Sequence, residues 1–266
     1  MTSSCHNHSI WSDGQTPVAD MVAGARKLGL DVLGMSDHWV LHPSGQTPKW
    51  SMPPEKLGEY IGHVRSFDDR AGLRVLAGVE VDWIAESAAG IRDALKKAAP
   101  DYSIGSIHYA DPATEPIDGT RKYWDRMTQD EVDEAHHIYW KNLRAMAESR
   151  LFTIAGHLDL TKKFRVYASA PPQDIIKAAL DAIARAGMPV ELNTSGWHKP
   201  CDECYPAPAL LKQCRSREIP VILTADAHHP DQLRRDFDRG ALLLKDIGYT
   251  KTVRLGPDGL TEYPLR

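Results

Sequence analysis

An α/β fold of seven βα units, closed into an irregular barrel, is what this sequence predicts, and three observations carry the prediction. Apolar, β-branched-rich segments alternate with helical patterns from start to finish, which gives parallel strands joined by right-handed crossovers. The length, 266 residues, is routine for one barrel of this kind. His, Asp or Glu stands where one apolar strand after another ends, at both extremes of the chain. In a closed barrel all strand C-termini meet at one rim. An open doubly wound sheet would keep the first and seventh strand ends apart, so ligand-type residues at both extremes favour closure. Seven units, one short of the usual eight, make the barrel irregular.

The first strand runs through Cys5-His6-Asn7-His8. Residues i and i+2 share one side of a strand, so both imidazoles face one point. There they repel as cations and gain little as neutrals, which makes a metal the natural occupant. A surface His-x-His explains the pair alone equally well, and the rest of the chain tips the balance. Asp13 follows His8 by five positions. A first helix spans 17–28, with Thr16 as N-cap, Pro17 at its first position and Gly29 at its exit. A second strand, 31–35, runs into Ser36-Asp37-His38; a Pro-rich loop, 39–54, precedes a helix over 55–71. The third strand, 73–79, ends at Glu80, and after a helix over 87–98 the fourth, 102–107, ends at His108. The loop 109–128 is longer than most connections, carries Trp124 and Arg126, and is a candidate cover for the site. Thr128 caps a long helix with Val132, Ala135, Tyr139, Leu143, Met146 and Ala147 on one face.

The second half repeats the grammar. A fifth strand, 151–155, leads to His157, and a helix over 171–186 is closed by Gly187. The sixth, 188–192, ends in Asn193-Thr194-Ser195-Gly196; a helix over 208–217 and the seventh strand, 220–223, lead to Asp226-Ala227-His228. A helix over 230–246 and a hairpin turning at Pro257-Asp258-Gly259 complete the chain.

Composition sets the class. With 42% hydrophobic and 26% charged residues, the chain can build a sizeable core. A net charge of -4 and a pI near 6.3 leave no basic footprint, so no nucleic-acid partner is expected. No apolar run approaches the ~20 residues that span a bilayer, and no membrane association is expected. A secretion leader's charged-then-apolar pattern is missing at the N-terminus. Four cysteines are too few for a disulfide framework, and a cytoplasmic location fits them. Without repeats, low-complexity tracts or Gly/Ser linkers, residues 1–266 read as a single domain.

The rim set is His6, His8, Asp13, His38, Glu80, His108, His157, Asp226 and His228. Six imidazoles and three carboxylates serve more than one ion, since each divalent ion takes three or four protein ligands. A lone histidine is more often a core or surface residue than a ligand, and His63, His136, His137 and His229, on or beside helices, are given that reading. Six strand-end histidines are not easily an accident.

His6-Asn7-His8, Ser36-Asp37-His38, Gly78-Val79-Glu80-Val81-Asp82, Gly105-Ser106-Ile107-His108, Gly156-His157-Leu158-Asp159 and Asp226-Ala227-His228 resemble the motifs of the PHP (polymerase and histidinol phosphatase) superfamily over nearly the whole chain. Glu191 to Gly196 and Tyr205-Pro206 narrow the resemblance to the histidinol-phosphatase-like branch. It implies a distorted (β/α)7 barrel with three divalent ions, Zn, Mn or Fe, at the C-terminal rim. It also implies a phosphomonoesterase, foremost a histidinol-phosphatase, in which a metal-bridging hydroxide attacks phosphorus. Carried over by motif, His6, His8, Glu80 and Asp226 hold the first ion. Glu80 bridges to a second on His108 and His157, and Asp13, His38 and His228 hold the third; Glu80, Asp226 and His228 take the catalytic roles. Amidohydrolases share the opening His-x-His and a final Asp but commonly bridge their metals with a carboxylated lysine, where this chain has Glu80. Three ions, three carboxylates and a hydroxide leave a positive site that a phosphomonoester dianion neutralises.

Lys162, Lys163 and Arg165 after strand five, with His198 and Lys199 after strand six, are candidate contacts for the small phosphate ester; a solvated loop is the equal alternative. Family members often place arginine after Asn-Thr-Ser/Ala-Gly, and this chain has Trp197-His198-Lys199. An imidazole cannot reproduce a guanidinium's bidentate grip on phosphate. That departure keeps a nucleotide, a sugar phosphate or a cyclic or other diester as the alternative substrate. An inactive metal-binding scaffold ranks last, because every ligand position is filled. Trp39, His42 and Trp50 could wall the pocket or simply pack their loop. Cys201-Asp202-Glu203-Cys204 lacks a second pair and is read as structurally indifferent.

Overall fold

The computed structural model describes residues 2–70 and 72–265; Ala71, where the expected helix 55–71 ends, and the terminal Met1 and Arg266 lie outside them. The chain opens with β1 (Ser3–Ser4) and α1 (Val18–Lys27). Pro17, not Thr16, is the N-cap residue, because its backbone is still extended (ψ 160°). Helix α1 buries Val18, Met21, Val22 and Ala25, the three-and-four spacing of one apolar stripe. Next come β2 (Val32–Met35), β3 (His38–Trp39) and α2 (Leu57–Arg65). Helix α2 is shorter than expected at both ends, since a 3-10 turn over Pro54–Lys56 precedes it. Then follow β4 (Arg74–Asp82), α3 (Ala88–Ala98), β5 (Tyr102–Ser106), a short α4 (Arg121–Trp124) within the long loop, and α5 (Gln129–Ser149). Thr128 and Glu131 form a reciprocal capping box at the start of α5.

The remaining elements are β6 (Ile154–Ala155), α6 (Gln173–Ala186), β7 (Val190–Asn193), α7 (Pro208–Ser216), β8 (Val221–Thr224), α8 (Phe237–Ile247), β9 (Lys251–Gly256) and β10 (Gly259–Pro264). The expected helix 230–246 divides into a 3-10 turn, Pro230–Gln232, and α8. Between them Asp236 adopts φ +58°, a left-handed conformation that a continuous helix does not admit. No helix among the described residues is long and apolar enough to cross a membrane.

The sheet runs β1-β2-β4-β5-β6-β7-β8-β9-β10, with β3 also paired to β4. Among the described residues every strand-to-strand pairing is parallel except the β9–β10 hairpin. A parallel bridge pairs Asn7 with Ala227: the His8 N–H donates to the Ala227 carbonyl (2.7 Å) and the Ala227 N–H to the His6 carbonyl (3.1 Å). The ligand-bearing segments after the first and the eighth strand are thereby zipped together.

Strand alternation decides which side chains meet. In β4, Val75, Ala77, Val79 and Val81 join the large core that includes the helices' apolar faces. Leu76 faces the opposite way and joins Cys5, Val32, Tyr102, Ile104, Ile154, Ile222, Val253 and Leu255 in a second, smaller cluster. Glu80 and Asp82 share the parity of Leu76 and so stand on its face of the strand. Tyr102 lies across Gly78, where a Cβ would come within 2.2 Å of its ring. Its hydroxyl donates to the carbonyls of Cys5 (2.5 Å) and Met35 (3.1 Å), so it ties three strand segments below the polar rim.

Candidate metal centre

Glu80 is the hub. It is buried and pairs in register with His38 of β3. Its two oxygens face different imidazoles. Oε2 lies 3.1 Å from His6 Nε2, 3.5 Å from His8 Nε2 and 2.9 Å from His38 Nδ1. Oε1 lies 2.9 Å from His157 Nε2 and 3.9 Å from His108 Nε2, and accepts from Ser106 Oγ at 2.6 Å. Asp226 turns out of β8 with φ +51°, a strained conformation that aspartate tolerates and that recurs at functional sites. Its Oδ1 lies 3.2 Å from His8 Nε2 and 3.6 Å from His6 Nε2. Asp13 Oδ1 is 3.3 Å from His228 Nε2, 3.6 Å from His38 Nε2 and 3.9 Å from His8 Nδ1.

All nine predicted ligands fall into four overlapping groups that could each hold an ion, with donor atoms within 4.8 Å of one another. The grouping differs in detail from the one the resemblance implies. His8 joins Asp13, His38 and His228, and His157 joins His6 and Asp226. The donors fit divalent ions. His6 Nε2, His8 Nε2, His38 Nδ1 and Glu80 Oε2 are buried without a hydrogen-bond partner, a cost of about 1–3 kcal/mol for each group if nothing else satisfied it. Ligand atoms around a tetrahedral ion at about 2.0–2.1 Å stand roughly 3.3–3.4 Å apart. The contacts of His6 and His8 with Glu80 and Asp226, 3.1–3.6 Å, bracket that spacing.

Electrostatics prepares the set. Burial alone would raise the Glu80 pKa, but His38, His6 and the hydrogen bond from His157 hold it well below the carboxylate range. Asp226 is held down in the same way, against burial, by His6, His8 and His228. Burial, reinforced by His38 and His228, pushes His8 down to about 3. His8 is therefore a neutral, ligand-ready imidazole among anionic carboxylates at neutral pH.

Three buried acids outside the predicted set orient the ligands. Glu191 Oε1 meets His6 Nδ1 at 2.6 Å, and its Oε2 accepts from the His157 N–H at 2.9 Å. With the His6 proton on Nδ1, its Nε2 lone pair is left facing Glu80 and Asp226. Asp37 accepts from the Ser9 N–H (2.7 Å), Ser9 Oγ (2.9 Å) and Ser12 Oγ (2.7 Å), pinning the turn that presents Asp13. Gly14 closes that turn, since a Cβ there would come within 2.5 Å of Ser9 backbone atoms. Asp82 accepts from the His108 N–H at 2.9 Å, with Oδ2 3.5 Å from His108 Nδ1. A readable signal existed for two of them: Asp82 shares Glu80's face of the strand, and Asp37 precedes His38 in the same motif.

None of the candidate phosphate contacts belongs to the ligand groups. Lys162 is buried, with its amine donating to Asp159 (3.0 Å), Glu203 (2.8 Å) and the Cys204 carbonyl (2.7 Å). Lys163 donates to the Asp118 carbonyl (2.7 Å) and carboxylate (3.1 Å). His198 is paired with Asp236 at 2.6 Å. Arg165 is exposed and Lys199 half-buried. Trp50 walls the cluster, edge-on to His38 (4.9 Å) and His108 (5.2 Å). Trp39 is a core residue whose indole donates to Pro54, and His42 is 3.0 Å from the Pro112 carbonyl. Cys201 and Cys204 are both free thiols.

Comparison with known proteins places this geometry. Residues 4–195 match the PHP domain family. A probable histidinol-phosphatase of Deinococcus radiodurans is 31% identical over 259 residues, covering 93% of this chain and 95% of that protein. The histidinol-phosphatase of Bacillus subtilis is 25% identical over 77% of this chain and 84% of its own. Among solved structures, histidinol phosphate phosphatase from Lactococcus lactis, complexed with zinc, L-histidinol and phosphate, aligns with a TM-score of 0.78 and 19% identity over 98% of each chain.

Proposed function

The chain belongs to the PHP domain family, and from that premise we propose that it is a metal-dependent histidinol-phosphatase, converting L-histidinol phosphate and water to L-histidinol and phosphate. The observation that carries the reading is Glu80, one buried carboxylate whose oxygens face two separate sets of imidazoles. His6, His8, Glu80 and Asp226 would hold one ion, Glu80 with His108 and His157 a second, and Asp13, His38 and His228 a third; Zn, Mn and Fe all suit such donors. Bound ions of this kind supply activated water at neutral pH and neutralise charge on phosphoryl oxygens. The chain's own residues hold the ligands in place: Glu191 fixes the His6 tautomer, Asp82 anchors His108, and Asp37 sets the Asp13 turn. Trp50 offers the leaving group an apolar, planar wall.

Residues 1–266 are read as one PHP-type domain, and the Asn7–Ala227 bridge supports a closed, distorted (β/α)7 barrel with the ions at its C-terminal rim. Four free cysteines support a cytoplasmic setting. The test is phosphate release from a panel of histidinol phosphate, nucleotides, sugar phosphates and cyclic diesters, with metal content measured in parallel. Preference for histidinol phosphate is expected. Turnover of another ester with histidinol phosphate left intact would move the assignment to that substrate.

A further inference from the structure

The cations predicted to meet the phosphate are largely engaged elsewhere. Lys162, Lys163 and His198 each have carboxylate partners. Arg235 does not. It stands between the 3-10 turn Pro230–Gln232 and α8, half-buried. Its Nε is buried without a hydrogen-bond partner, and among the described residues its guanidinium makes neither a hydrogen bond nor an ion pair. The backbone holds it at the rim. Its carbonyl accepts from Thr194 Oγ at 2.7 Å, and the neighbouring Ser195 Oγ donates to Asp226 Oδ2 at 3.2 Å. Asp236, the next residue, takes His198. Arg235 is thus tied to the segments that flank a proposed metal ligand, and it lies within electrostatic reach of Asp226 and Asp236.

Resting on the phosphatase reading above, we infer that Arg235 binds the phosphoryl group of the ester at this rim. A half-buried guanidinium whose buried Nε has no hydrogen-bond partner is costly unless an acceptor completes it. Its planar fork of donors matches phosphate oxygens two at a time, which neither a lysine nor an imidazole does. Such a contact serves the phosphate common to every ester the site accepts, so it sets affinity for the phosphoryl group and leaves leaving-group preference to other residues.

The probe is inorganic phosphate, titrated calorimetrically into the metal-loaded protein, with ion content measured on every sample. Arg235→Ala should weaken phosphate binding about ten- to a hundredfold, the worth of a charge-assisted hydrogen bond, with ion content unchanged. Arg235→Lys should recover part of the loss, and added guanidinium chloride should restore binding to the Ala variant. Phosphate affinity within twofold of the parent in the Ala variant overturns the inference. If the Ala variant loses ions, Arg235→Lys decides: it keeps the charge without the fork, and unchanged phosphate affinity in it is equally fatal. Failure of the parent to hydrolyse any ester of the panel would instead remove the phosphatase reading, while the difference in phosphate affinity would still report on Arg235.

Discussion

Replacing Glu191 by Gln is the most incisive perturbation available, because it changes no volume and removes no ligand. Both carboxylate oxygens receive donors, Oε1 from His6 Nδ1 and Oε2 from the His157 N–H. A glutamine has one acceptor and one donor at that end, so in either orientation its NH₂ confronts a donor. One charge-assisted hydrogen bond, about 1.5–3 kcal/mol, is lost, and the abandoned donor stays buried. Loss of such an orienting partner typically weakens metal binding 10–100-fold, roughly 1.4–2.7 kcal/mol. His6 and His157 meet different oxygens of Glu80, so the loss should extend to more than one ion. The assay is chelator competition on loaded protein followed by elemental analysis, with the melting of the stripped form as a check on folding. Glu191→Asp, which keeps two acceptors on a shorter stem, should fall between. A Gln variant that folds and resists chelator as well as the parent would refute the argument.

Glu80→Gln should lower kcat/KM more than His228→Asn, since it disturbs two ion positions at once; equal, mild losses would mean that Glu80 is not shared. Lys162→Met strands Asp159 and Glu203 and should destabilise the fold by about 3–5 kcal/mol, read by urea unfolding. An unchanged midpoint with a raised KM would make Lys162 a substrate contact instead. His136 is buried, and burial depresses its pKa below 6.5. The unfolded chain then binds the extra proton first, so the His136 contribution is complete above about pH 6.5 and is lost as pH falls. Parent protein should therefore lose more stability than His136→Asn between pH 7.5 and 5.5, and equal losses would count against it.

What could be read from the sequence was whatever repeats at a fixed period. Apolar alternation located most of the strand ends, and with them the His, Asp and Glu residues that fall into the overlapping groups around the rim. Strand β3 escaped because two residues, His38–Trp39, carry no period at all. The start of α8 was misplaced because Asp236 takes a left-handed turn that composition does not announce. Glu191 escaped for a different reason. Its partner His6 is 185 residues away, and a glutamate inside a strand, between Val190 and Leu192, does not announce its partner in sequence. Lys162 and Arg235 show the same blindness from the other side. Each has a second cation beside it in sequence, yet Lys162 is neutralised by Asp159 and Glu203, whereas Arg235 has no hydrogen-bonding partner for its buried Nε.

The charge arrangement also distinguishes the imidazoles from one another. His6, His38, His108 and His228 all have pKa values raised by neighbouring carboxylates against the effect of burial. The carboxylates thus favour the protonated form of these four imidazoles, in opposition to burial. Coordination of an ion by these residues would require those protons to leave, because only a neutral imidazole donates a lone pair. His8 is the exception: pushed down to about 3 by burial and by His38 and His228, it is neutral at pH 7 and keeps one nitrogen unprotonated. It touches the groups at both ends, facing Glu80 and Asp226 through Nε2 and Asp13 through Nδ1. His8 would therefore offer an ion a neutral imidazole lone pair beside two carboxylates, Glu80 and Asp226, whose pKa values are held low. At the remaining histidines a bound ion's charge would take the place of the proton that now balances the carboxylates.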